Sequence, residues 1–565
     1  KYFKLLLIIA SVLTILISLY FRVRWLEISP HTVGFDEAAL GYNTYSLLET
    51  GKDEHGRKYP HSLASFNDYK PAMYAYLSMP FVKSLGLNQT STRIVSAIAG
   101  TITIILIGLI SYHFFSKNII LAFFALLIAA VQPWSLHYSR TAFESNLAVA
   151  SFTAGVLLIL TSRRIKSELA AAFFFTLSMF SYHSARVAAP LFLLLYLLIK
   201  VSGKKNFKIS LRKLGKMELP PVRRLVKTIL PLILLFILTL PIWLSLKEGL
   251  ILTRLRQESA LKRLYPYAPP ELINPKNLWL SFPAHPLYYL AANFIGHFFA
   301  YFSPINLGSR VYHWVRSSPQ HIATFSVVGW GECLFFLIGL FYLMRNWQQK
   351  KNKIILAWII SGIAPAIVTW NWFHPLRSLS IYPAITLICI LGILLVYKLL
   401  PRVIKAIAIL GFIGLFLMQA SYVINNELVY NVYESHGEYQ PGGFKEGAPE
   451  LAKIQDNYDK VIIETPHAQG YIFFLFYQSF PPEILHQFAK YRKLPGTEGD
   501  LSFDFYKYEF RKIYWPEDRK LKRTIFWGSS FSLPIKEVSQ EPDVKIIKEF
   551  KSVLGYPAAV MVAKD

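Results

Sequence analysis

From its second residue onward the chain is a succession of apolar runs, most of them long enough to cross a bilayer and separated by polar links. A run of roughly 18 or more apolar residues can satisfy its backbone in hydrocarbon only by closing every hydrogen bond within a helix. Such runs fall at 2–21 and near 92–114, 118–136, 146–162, 168–182, 187–200, 228–246, 323–344, 354–371, 379–398 and 405–424, about eleven transmembrane helices in all. Those at 168–182 and 187–200 are the shortest. With 53% hydrophobic and 17% charged residues over 565 positions, the composition excludes both a soluble globular protein and a disordered one. The first run could be a cleavable signal peptide, but it is long enough to span and no small-residue cleavage site follows, so it reads as a retained helix.

A formal charge of +26 raises the question of nucleic acid. The distribution answers it, because Lys and Arg gather in short links such as "RRIK" (163–166) and "RNWQQKKNK" (345–353), the signature of cytoplasmic anchoring. No nucleic-acid partner is expected. Parity tests the topology. With Lys1 and Lys4 inside, the links near 115–118, 163–168, 200–227, 345–353 and 399–405 are all cytoplasmic, and all are basic. The other face receives a first long loop (21–91), a second (247–322), several short links and everything after about 424. Cys333 and Cys389 both lie in apolar runs and behave as small hydrophobes, so no disulfide framework is expected.

Residues 1–424 therefore form a membrane domain and 425–565 a second unit of different character. There the charges become dense, the apolar runs shorten and Gly/Pro punctuation begins with "YQPGGFKEG". "KVIIET", "YIFFLFY", "RTIFWG", "VKIIKEF" and "AAVMVAK" predict strands; "APELAKIQDNY" and "PPEILHQFAKY" predict helices. The expected fold is a polytopic α-helical membrane protein carrying an external α/β domain.

Polar groups held against hydrocarbon are costly and tend to be functional. Asp36 and Glu37 sit in "HTVGFDEAALGYNTYSLLETG", just beyond the first run; the bland reading is an acidic first turn of a surface helix closed by Gly51. Four further external segments carry ionisable groups beside a span: Asp68, Tyr69 and Lys70 in "NDYKPAMYAY", Arg140 and Glu144 in "HYSRTAFESN", His183 and Arg186 in "YHSARVA", and His374 and Arg377 in "FHPLRS". Each alone reads as an interfacial anchor. Together, external arginines that oppose the positive-inside bias imply an anionic partner, and the planar guanidinium fork suits phosphate. Carboxylates beside phosphate-binding cations at a lipid surface suggest a lipid-linked phosphate substrate and a proton to be removed.

These stretches, with Arg93, Ser96 and Ala97 of an R-x-x-S-A helix start, resemble the N-terminal half of the GT-C glycosyltransferases related to protein O-mannosyltransferases and bacterial lipid A aminoarabinose transferases. The likeness covers roughly residues 1–200 and returns at "FHPLRSLSIYPAITL". It implies a GT-C fold in the cell membrane, a polyprenyl-phosphate sugar as donor, a glycan, lipid or protein as acceptor, and transfer with inversion on the external face. It places Asp36 at the catalytic base, Lys70 at the lysine of the "KP" element that meets the lipid phosphate, and Glu144 at a second carboxylate, usually Asp. Glu37 either joins the catalytic pair or serves as a structural or metal-binding neighbour. Arg140, His183, Arg186, His374 and Arg377 complete the donor-phosphate set, with Asp68 and Tyr69 as additional candidates. Tyr69 stands where aminoarabinose transferases carry an acid, which argues against a metal site built as theirs is. No cofactor is specified and a divalent metal is left open.

A transporter or flippase of lipid-linked glycans is the rival reading, but transporters place ionisable groups near the bilayer midplane. A receptor or scaffold would explain residues 425–565 and leave the carboxylates and external arginines without a purpose. "NQT" at 88–90 reads as an accidental sequon, "AHPLYYLAANFIGHFFAYF" (284–302) as an interfacial aromatic helix, and Glu332 as either a partner for a cation or an interfacial residue.

Overall fold

The structure is a computed structural model and describes residues 2–66, 68–161, 164–202, 222–245, 286–308, 327–369, 371–434, 443–464, 470–493, 501–551 and 555–565. Most of the basic link at 200–227 and most of the second long loop fall outside the described residues.

Helices stand at every predicted span. They are α1 (Tyr2–Val23), α4 (Gln89–Phe114), α5 (Ile119–Val131), α7 (Glu144–Thr161), α8 (Ile165–Ser181), α9 (Ala185–Ser202), α10 (Val222–Leu238), α12 (Trp330–Arg345), α13 (Lys350–Ile367), α14 (Tyr382–Leu399) and α15 (Arg402–Asn425). Six helical segments among the described residues are long and apolar enough to cross a membrane: 2–23, 89–114, 144–161, 185–202, 379–399 and 402–430. The chain is a multi-pass membrane protein. Between these helices lie α2 (Phe35–Thr50), strands β1 (Ser62–Ser65) and β2 (Asp68–Pro71), α3 (Met73–Leu85), the short α6 (Pro133–His137) and α11 (Pro286–Ala300).

Local chemistry sets the boundaries. Asn88 starts α4 by accepting the Ser91 N–H at 2.9 Å while the Ser91 hydroxyl accepts the Asn88 N–H, so the asparagine of "NQT" is a helix cap. Asn118 caps α5 by accepting the Ile120 and Leu121 N–H groups on its side-chain oxygen. α2 ends, as expected, on Gly51 at φ +68°, a conformation that costs glycine least. The bundle core interlocks aromatic rings from four helices: Phe152 meets Phe175, Phe192 and Trp358 at 5.2, 5.5 and 6.1 Å between centroids. Outward faces such as Leu5, Leu6, Leu13 and Leu16 on α1 stay exposed, as a lipid-facing surface must.

The C-terminal region holds a seven-stranded mixed sheet in the order β4-β5-β6-β3-β7-β9-β8. β3 (Lys460–Ile463), β7 (Thr524–Gly528), β8 (Val544–Lys551) and β9 (Pro557–Lys564) fall where strands were predicted. β4 (Lys490–Lys493), β5 (Leu501–Phe505) and β6 (Tyr508–Phe510) were not anticipated, although "LSFDF" and "YEF" alternate apolar and polar residues; they are only three to five residues long. β3 runs parallel to both β6 and β7; the other pairs are antiparallel. α16 (Phe444–Ile454) and α18 (Pro482–Phe488) confirm the two predicted helices.

"YIFFLFY" corrects the expectation of a strand: it forms helix α17 (Tyr471–Gln478). Residues 471–476 are all buried, packed in one core with Phe505 and Phe510 of the sheet and with Ala38, Ala39 and Tyr42 of α2. An element apolar on every side has no periodicity to distinguish helix from strand. Close approach needs Gly41, where a Cβ would stand 2.5 Å from Phe476 Cε2. Gly41→Ala is therefore expected to destabilise the fold by about 1–3 kcal/mol through overpacking. An unchanged thermal unfolding midpoint in detergent would show that Phe476 yields freely.

Candidate active site at the mouth of the helix bundle

Asp36 is the second residue of α2, and what fixes it there is its neighbour. Glu37 Oε2 accepts the N-cap Gly34 N–H at 3.1 Å and Arg93 Nη2 at 3.0 Å; its Oε1 accepts Arg93 Nε at 2.9 Å and the Ala142 N–H at 2.7 Å. Arg93 spends its other N–H groups on the carbonyls of Leu26, Pro30 and Thr32. Glu37 and Arg93 are thus a fully buried, fully bonded pair that ties the start of α2 to α4 and to the link before α7. Of the readings open for Glu37, the structural one fits this geometry. Asp36 points away from that pair and is 46% exposed at its side chain, accessible to a reactant.

The first loop folds back as the β1–β2 hairpin, with Leu63 opposite Lys70. It delivers Lys70, itself only 5% exposed, to Asp36: Nζ lies 2.6 Å from Oδ1. Glu144, the buried first residue of α7, stands close enough to feel both the Lys70 and the Asp36 charges. His183, on the α8–α9 link, meets the backbone of Tyr69 and the fields of Arg186 and Lys70. Burial first, then Arg186, holds its imidazole well below the usual histidine range, so at neutral pH His183 is uncharged and can donate a hydrogen bond but not a charge. Arg186 Nη1 lies 3.1 Å from His183 Nδ1. Beyond it opens a crevice lined by Ser145, Tyr182, Ser184, Arg377 and Ser380, where Arg377 also contacts Asn371 Oδ1 at 3.3 Å.

The structure therefore brings Asp36, Lys70, Glu144, His183 and Arg186 together, with Arg377 across the adjoining crevice. It does not bring Arg140, whose guanidinium is enclosed by the carbonyls of Phe21, Arg24 and Ser29. Burial lowers Arg140 to about 10, which leaves it charged at neutral pH, a clamp on the chain leaving α1. His374 is buried in the turn before α14, where its N–H donates to Tyr301 Oη at 3.0 Å. Tyr69 alternates away from Lys70 along β2 and carries the Arg57 guanidinium over its ring at 5.2 Å. The Asp68 side chain lies outside the described residues. Glu332 is held by amides rather than a cation, Gln132 at 2.6 Å and Gln419 at 3.0 Å. Among the described residues no group of three His, Cys, Asp or Glu side chains is disposed to hold a metal.

One buried pair had no sequence signal: His137 Nδ1 lies 3.1 Å from Glu427 Oε1, in the π-helical turn that continues the last membrane helix. Nothing in either local pattern names the other. Arg93 was legible only as part of a helix-start motif; its partner could have been sought, since an arginine inside a span requires a carboxylate or carbonyls.

Comparison with known proteins adds the frame. Residues 69–217 match the family described as dolichyl-phosphate-mannose-protein mannosyltransferase. Curated protein sequences give no match. Among solved structures, ArnT from Cupriavidus metallidurans aligns over 98% of this chain and 97% of its own, at 13% identity and a TM-score of 0.56. The chain has the GT-C fold. A second structure of the same GT-C protein, bound to undecaprenyl phosphate, aligns over 97% of both chains at 12% identity and TM-score 0.54. The oligosaccharyltransferase AglB from Archaeoglobus fulgidus, in complex with an inhibitory peptide and a dolichol-phosphate, aligns over 85% of this chain and 64% of its own, at 12% identity and TM-score 0.50. The family match begins within β2, takes in Lys70 and runs through Glu144 and Arg186.

Proposed function

We propose that the chain is a membrane glycosyltransferase that moves a sugar from a polyprenyl-phosphate donor to an acceptor on the external face, with inversion at the anomeric carbon. The observation that carries this reading is the Asp36–Lys70 pair at 2.6 Å, with Glu144 beside it, at the mouth of the bundle. Asp36 is the base that takes the acceptor's proton as the nucleophile attacks. The anomeric C–O bond breaks and its electrons stay on the lipid phosphate. Lys70, with Arg186 and Arg377, stabilises that leaving charge where water is scarce. Glu144 holds the acceptor or the Lys70 ammonium in register, and neutral His183 donates to a phosphate or sugar oxygen. That ArnT has been solved with undecaprenyl phosphate and AglB with dolichol-phosphate supports the donor class. The acceptor is a glycan, a lipid or a protein.

The external assignment rests on polarity along the bundle. The site residues sit at or before the N-terminal ends of α2, α7 and α9, whereas the opposite ends of α4 and α9 gather cations, Lys351 over Phe114 at 5.1 Å and Lys350 over Tyr196 at 6.0 Å. That basic end is the cytoplasmic one by the positive-inside rule. A flippase is disfavoured because the reactive cluster lies at helix ends rather than at the midplane.

Lys70→Met keeps the stem and removes the charge. Binding of polyprenyl phosphate is expected to weaken by about 1.5–3 kcal/mol, the worth of a hydrogen bond to a charged group. Equal affinity of mutant and wild type in a titration in nanodiscs would remove Lys70 from the donor site and, with it, this reading.

A further inference from the structure

Phe66 sits at the tip of the β1–β2 hairpin with φ of +52°, the conformation that a two-residue loop closing between the paired Ser65 and Asp68 demands of its first residue. A set of rings surrounds its side chain. Phe35, next to Asp36, meets Phe66 edge-on at 6.3 Å and Phe473 of α17 at 4.7 Å. Tyr471, the first residue of α17, meets Phe66 edge-on at 6.0 Å. The face of Phe66 lies 5.0 Å from Lys70 Nζ, close enough for its negative quadrupole to attract the ammonium.

We propose that Phe66 is a positioning residue that holds the Lys70 ammonium between its ring and Asp36, and that Tyr471 of the C-terminal α/β unit wedges Phe66 in place. This rests on the reading that Lys70 holds the donor phosphate. Lys70 has a long stem with several rotors. Two fixed walls, the Asp36 carboxylate and the Phe66 ring, keep the ammonium from swinging away from the anion it is to meet. The C-terminal unit thereby takes part in donor binding from outside the bundle, through α17, whose residues 471–476 are buried against α2 and the sheet.

The test is made on the full chain in nanodiscs with polyprenyl phosphate and with the matching unphosphorylated polyprenol. Phe66→Gly suits the backbone, since glycine adopts positive φ freely, and removes only the ring. Polyprenyl phosphate is expected to bind it roughly 3- to 30-fold more weakly, the range of a cation–π contact, while polyprenol binding is unchanged. Phe66→Trp restores a π face and should recover most of the loss. Tyr471→Leu should give a smaller loss of the same kind, and no loss would overturn the part assigned to α17. Unchanged phosphate binding in Phe66→Gly, alongside a loss in Lys70→Met, would overturn the proposal and leave the donor site standing. Equal weakening of phosphate and polyprenol would mark Phe66 as merely structural. If Lys70→Met itself bound normally, both the donor site and the role of Phe66 would fall.

Discussion

Asp36→Asn is expected to slow single-turnover sugar transfer by about 10²- to 10⁴-fold, the usual contribution of a positioned general base. Asparagine fits the same place at the start of α2 and keeps an oxygen toward Lys70, but it cannot accept a proton at neutral pH. Donor affinity should stay within a few-fold of wild type or rise, because the Lys70 ammonium, 2.6 Å from the carboxylate, loses a competing anion. Rate and affinity thus move apart, as they do when an interaction serves the transition state and not the bound donor. Glu144→Gln is the comparison that gives this meaning. Glu144 feels both Asp36 and Lys70 and is itself buried. If Asp36→Asn turned over near the wild-type rate while Glu144→Gln abolished transfer in folded protein, Glu144 would be the base and Asp36 the anchor of Lys70.

How much of this could be read from the chain depends on the range of the signal. The membrane helices were legible because hydrocarbon demands runs of one kind, and α1, α4, α7, α9 and the segments at 379–399 and 402–430 appear where those runs lie. Lys70 and Glu144 were legible as ionisable residues at the ends of spans, and Asp36 as a carboxylate just beyond one. Whether they meet was not, because the β1–β2 hairpin that brings Lys70 to Asp36 has four-residue strands with no strong alternation. Arg140 misled for a related reason. An arginine read as external needs an electronegative partner, but backbone carbonyls at the end of α1 meet that need as well as a phosphate would. The helix "YIFFLFY" was misread because it is buried on all sides between α2 and the sheet, a tertiary circumstance that local sequence does not encode.

The same reasoning makes the buried Glu37–Arg93 pair a point where a single substitution is costly. Arg93→Met is expected to cost about 3–5 kcal/mol, since it strands a buried carboxylate that keeps only the Gly34 and Ala142 N–H groups as donors. The carbonyls of Leu26, Pro30 and Thr32 lose their donor at the same time, loosening the segment between α1 and α2. Glu37→Gln is the gentler cut, because the amide oxygen still accepts from Gly34 or Ala142 and Arg93 keeps its three carbonyls. A double mutant Glu37→Gln/Arg93→Met should be less damaging than the sum of the two, for neither partner is then left charged and alone. Thermal unfolding of detergent-purified protein, with the yield of monodisperse material, measures each corner of the cycle. Strict additivity would mean that the 2.9 and 3.0 Å contacts contribute nothing as a pair, and that some other element sets the register of α2. Activity supplies the second readout. Because Glu37 also holds the Ala142 N–H two residues before Glu144, any Arg93→Met protein that survives should transfer sugar slowly even when saturated with donor, its two carboxylates no longer held in register.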